Sequence, residues 1–140
     1  MKASRKGSTL VELALVSTLF LVLLSAILDF GQVLFFHHFL DDRVRAGARY
    51  AVVHAYDTTA IQNFVAYNNP AGPPPGGGGL FGLTPSMVQV THYDAGTPND
   101  RIEVKVSTFV MHFHCPWLIR DFTPAPFRAV MPIESAGNAL

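Results

Sequence analysis

The chain has 140 residues, enough for one small domain and its appendages. Hydrophobic residues make up 49% and charged residues 14%, and the formal net charge is zero, so no global field draws the chain to nucleic acid. A single cysteine, Cys115, excludes an internal disulfide framework and any zinc site built on several cysteines.

The apolar excess is concentrated at one end. From Leu13 to Leu28 the run "LALVSTLFLVLLSAIL" carries no charge. With Leu10 and Val11 it reaches about the length that crosses a bilayer, Glu12 being the one charged interruption. The stretch "FGQVLFF" after Asp29 stays apolar, so the span also fits further along, with Glu12 near one interface. Lys2, Arg5 and Lys6 precede the run with no acidic residue among them. The positive-inside rule therefore places the N-terminus in the cytoplasm and the remainder across the membrane. A cleaved secretory signal would end on small residues at two fixed positions. The exit "SAILDFGQVLFF" has no good pair of them, and the segment reads as retained.

The helical pattern continues past the membrane. Phe36, Leu40, Val44, Gly47 and Ala51 recur at spacings of three and four and mark one apolar stripe. Asp41, Arg45 and Arg49 lie on another face, and Asp41 with Arg45 has the favourable acid-first order for a helical ion pair. No proline occurs before Pro70. One helix is expected from about Thr9 to Ala55, roughly 70 Å long. Gly31 and Gly47 are the positions where another helix can come close, and Asp29 reads as a marker of the outer interface.

A short second helix is expected over "DTTAIQNFVAYNN", with Asp57 or Thr58 as N-cap and Ile61, Phe64 and Val65 as its apolar face. The segment "PAGPPPGGGG" is a tether or surface loop. The last third is strand-like. "MVQVTHY" alternates, and "RIEVKVSTFVMHF" alternates more strongly, with Ile102, Val104 and Val106 on one face and Glu103 and Lys105 on the other. "AGTPNDR" is the turn between them. "FRAVMPI" is a third strand, in which Pro132 points to an edge or a strand end. "CPWLIRDFTPAP" reads as an irregular crossover.

The expected fold class is α+β: a long N-terminal hydrophobic helix, membrane then periplasmic, a short second helix, and a small antiparallel sheet of about three strands. The expected organisation is a cytoplasmic leader at 1–7 and a transmembrane or assembly helix at 8–30. The helix continuation and second helix follow at 31–69, a Pro/Gly-rich linker at 70–82, and a small β-rich periplasmic part at 83–140.

The sequences "GSTLVELALV" and, downstream, "RAGARYAV" resemble the TadE-like pseudopilins of tight-adherence (Tad) pili, and more broadly the type IV pilin class. The resemblance runs from Lys6 to Val52. It implies a cut after Gly7 by a membrane prepilin peptidase, with Ser8 as the new N-terminus. Gly7, having no side chain, allows extended backbone to approach the peptidase. Type IV pilins usually carry Phe or Met where this chain has Ser8, and Tad pseudopilins are more permissive there. Many TadE-like chains have an early proline that "VSTLFLVL" lacks, so this helix should be straighter. Counted from Ser8, Glu12 is the fifth residue. An acidic residue at a membrane-helix centre costs about 2.5–3.5 kcal/mol, so it needs a partner. By analogy with pilins, that partner is the Ser8 amine of a neighbouring subunit, an intramolecular pair being the alternative at this spacing.

These readings make the chain a minor pilin of a Tad-type pilus, anchored by a single pass in the inner membrane. Its partners are the prepilin peptidase, other pilins and the Tad assembly machinery. Two alternatives remain: an uncleaved, signal-anchored periplasmic binding module, and a type II secretion pseudopilin, against which "RAGARYAV" speaks. No enzyme motif and no phosphate loop is present. His112, His114 and Cys115 in "MHFHC", with His92 nearby, invite a copper or zinc site, but the spacing is weak and no metal or cofactor is assigned. Pro116 and Trp117 favour burial of Cys115 over pairing with another chain.

Overall fold

The computed structural model describes residues 4–112 and 121–133. Helix α1 spans Ser4–Val53 without a break, and α2 spans Thr58–Tyr67. Five strands follow: β1 Val88–Tyr93, β2 Arg101–Val106, β3 Met111–His112, β4 Asp121–Phe122 and β5 Phe127–Pro132. These elements fall into two compact units. One contains the described residues up to Phe35 together with residues 111–112 and 121–122, and the other contains Phe36–Val110 with residues 123–133.

In the first unit α1 is apolar around its whole circumference. Leu10, Leu13, Leu15, Leu19, Phe20, Leu23, Ile27 and Leu28 are each more than half exposed. A helix apolar on all sides is either buried in a large core or surrounded by lipid. This one is long and apolar enough to cross a membrane, and none of its most apolar window is buried. The long apolar helix fits a single-pass membrane protein. Thr18 returns its hydroxyl to the Ala14 carbonyl at 2.8 Å, which satisfies a polar group within the apolar run. The same unit holds a two-residue antiparallel ladder, Met111 opposite Phe122 and His112 opposite Asp121.

In the second unit the expected stripe becomes core. Phe36, Leu40, Val44, Gly47, Ala48 and Ala51 are buried. Asp41 and Arg45 form the expected ion pair, at 3.0 Å. Helix α2 starts at Asp57, whose Oδ1 accepts from the N–H groups of Thr59 and Ala60 at 2.9 and 3.3 Å. It ends at Asn68, which adopts φ 58° while its N–H reaches the Phe64 carbonyl. Tyr50 of α1 stacks on Phe64 of α2, centroids 4.6 Å apart. Gly47 sits beneath Val65 of α2: a Cβ there would overlap Val65 and lie 3.7 Å from Val104 of β2.

The sheet has order β1–β2–β5 and is antiparallel throughout. Register places Val88, Val106 and Phe127 in one row and Val90, Val104 and Ala129 in the next. Ile102, Val104 and Val106 are buried as the alternation requires, and Glu103 and Lys105 face away from them. β5 is an edge strand and ends on Pro132, which has no N–H to offer a further strand. Gln62 of α2 donates to the Val88 carbonyl at 2.8 Å, tying the second helix to the β1 edge.

Two strand expectations are corrected. "RIEVKVSTFVMHF" is not one strand, because β2 stops at Val106. Thr108 takes φ 68°, a left-handed backbone that a continuous strand cannot contain, and pairing resumes only at Met111. The segment expected to be an irregular crossover contributes Asp121 and Phe122 to β4.

The proline-rich segment ends in packed structure. Leu83 is fully buried. Gly79 runs so close to Leu83 that a Cβ would overlap its carbonyl.

Candidate assembly site on the first helix

Gly7, Ser8 and Glu12 all lie on α1. The helix begins at Ser4, earlier than the expected Thr9, so Gly7 and Ser8 are helical here rather than extended. Nothing lies within 4 Å of where a Gly7 Cβ would be. Glycine at this position weakens the first turns, by about 1 kcal/mol relative to alanine. Gly7 and Ser8 are both exposed, one turn inside the start of α1.

Glu12 is exposed and lies one turn beyond Ser8 on the same helical face. Around it stand Leu10, Val11, Leu13, Leu15 and Val16, all exposed and apolar. No salt bridge to Glu12 occurs among the described residues. Placed in lipid, such a carboxylate would be poorly hydrated and stabilised by a cation brought to it.

Asp29, the expected marker of the outer interface, is buried. It is 3% exposed and is the buried charged residue among those described. The chain itself covers it, and it has interaction partners of its own. Nothing lies within 4 Å of a Cβ built on exposed Gly31, so that surface of α1 is open to a neighbour. Gly47, by contrast, is occupied within the chain by α2.

His92 is engaged away from any metal cluster. Its Nε2 lies 2.6 Å from Asp100 Oδ1, while Asp100 Oδ2 accepts from the Gly96 N–H at 2.8 Å. The Gly96 bond foremost, and His92 after it, hold the Asp100 carboxyl below its ordinary range against the opposing effect of desolvation. Among the described residues no group of three His, Cys, Asp or Glu is placed to hold a metal ion. His114, Cys115 and the side chain of His112 lie outside the described residues. Sequence reasoning missed the Asp100 clasp. The signal was present in the turn "DAGTPND", where an aspartate ends a Gly-containing loop opposite a histidine.

Residues 7–49 match the family model described as TadE-like protein. That stretch begins at Gly7 and takes in Glu12 and most of "RAGARYAV". No curated protein and no solved structure matches the chain.

Proposed function

We propose that this chain is a minor pilin of a Tad-type pilus, made as a membrane-inserted precursor and then assembled through its first helix. The observation that carries the reading is the TadE-like match over residues 7–49, on a helix whose large apolar residues from Leu10 to Leu28 are exposed. A TadE-like segment implies interaction with other pilus components. The small α+β unit after Phe36 argues for a minor rather than a major subunit, because major Tad pilins are little more than the helix. The function is structural.

In this reading the leader, residues 1–7, stays in the cytoplasm and the part beyond the span stands outside the inner membrane. The peptidase unwinds the start of α1, reaches the Gly7–Ser8 bond and leaves Ser8 as a new, positively charged terminus. Glu12 then lies in the opening turns of the shortened helix, where the macrodipole favours a carboxylate. It neutralises the Ser8 amine of a neighbouring subunit, which lowers the cost of keeping either charge in apolar surroundings. Gly31 offers a neighbouring helix a close approach.

The test is a Glu12→Ala strain. Membrane insertion remains intact, since an apolar residue only favours it. Pilus assembly is impaired. Normal pili in that strain would remove Glu12 from the assembly mechanism.

A further inference from the structure

The end of the proline- and glycine-rich segment carries an apolar patch. Leu80 and Phe81 are 52% and 47% exposed. Phe81 takes φ 57°, a conformation unfavourable for a bulky residue. Its ring is fixed by edge contacts to Phe36 and Phe39 of α1, with centroids 4.7 and 5.4 Å away. The backbone therefore adopts an uncommon conformation and still leaves half the aromatic surface uncovered.

The position of its anchors indicates what covers it. Apart from histidines, α1 has no ionisable residue between Asp29 and Asp41. A span of about 20 residues begun near Leu13 ends within that interval. Phe36 and Phe39 lie in that interval on α1, and Phe81 packs against both. The chain around the patch is matched to that level. Between Asp57 and Asp94 there is no Asp, Glu, Lys or Arg. Nothing there must be stripped of a charged hydration shell to enter the headgroup layer, whose water still serves the loop's backbone groups.

We propose that Leu80 and Phe81 form a lipid-contacting tip that seats the extracytoplasmic unit on the outer surface of the membrane before assembly. The apolar side chains enter the boundary between headgroups and acyl chains. The loop itself carries no charge, and the charged group beside its anchors is Arg43, whose guanidinium lies 5.1 Å from the Phe39 ring centroid. The proposal rests on the reading that α1 crosses the membrane.

The test uses the full chain in phosphatidylcholine vesicles with Cys115→Ser as background. An environment-sensitive fluorophore is attached at Leu80→Cys, at Leu19→Cys within the span, or at Asn99→Cys on the β1–β2 turn. The expected result is a blue-shifted label at 80, quenched several-fold more by shallow doxyl lipid than by aqueous iodide. The label at 99 shows the reverse preference. If the label at 19 is in lipid while the label at 80 is quenched by iodide like that at 99, the tip is wrong and the span stands. If the label at 80 is shielded from both quenchers, the patch is covered by protein and the lipid assignment fails. A label at 19 quenched by iodide overturns the span and the tip together.

Discussion

Glu12 and Asp29 are both carboxylates on one apolar helix, yet the chain treats them differently. It covers Asp29 and leaves Glu12 exposed among leucines and valines. That contrast gives Glu12 its proposed role, because a carboxylate left in an apolar surface is available to a neighbour. Asp100 is a third case. Its carboxyl is held below the ordinary range, so its contribution to stability is fully present above about pH 4. It is lost as pH falls through the lower folded value. Asp100→Asn should lower the thermal midpoint at neutral pH and flatten the acid limb of the unfolding profile, as followed by circular dichroism. An unchanged acid limb would mean the clasp does not couple to folding. Glu12 stood out in the sequence because a charge in an apolar run is conspicuous without any structure. The burial of Asp29 was not legible, since Asp29 sits among apolar neighbours in sequence as Glu12 does, and only tertiary structure covers one of them.

At the level of elements, α1 changes role along its length. Its first part has apolar residues on every side, and its second has a single buried stripe. Leu40 is fully buried in that stripe, and Leu40→Ala should destabilise the second unit by about 2–5 kcal/mol in denaturant unfolding. Asp57→Ala removes the α2 cap and should cost about 1 kcal/mol by the same measurement. Gly47→Leu should be strongly destabilising because Val65 fills the space above Gly47, whereas Gly31→Leu should leave stability unchanged. The helix stripe, the second helix and the three long strands were legible because each rests on a period of 3.6 or 2 sustained over several residues. The stop at Val106 was not. The alternation runs on through "STFVMHF", and the left-handed Thr108 has no glycine or asparagine to announce it. β4 was missed for a related reason, since two residues are too few to show a period.

For the molecule as a whole, the proposed function links a scissile bond, a carboxylate and a membrane. In the proposed function the cut at Gly7–Ser8 would create the amine that Glu12 neutralises, so the role of Glu12 depends on the cut. Gly7→Ala should leave the chain in the membrane as full-length precursor. The most direct measurement is the intact mass of the membrane-embedded protein, expressed with and without a prepilin peptidase of the Tad type. The account predicts a peptidase-dependent loss of Met1 to Gly7, leaving Ser8 at the terminus. An unprocessed chain in the presence of an active peptidase would contradict it, deprive Glu12 of its partner and leave α1 as a plain membrane anchor.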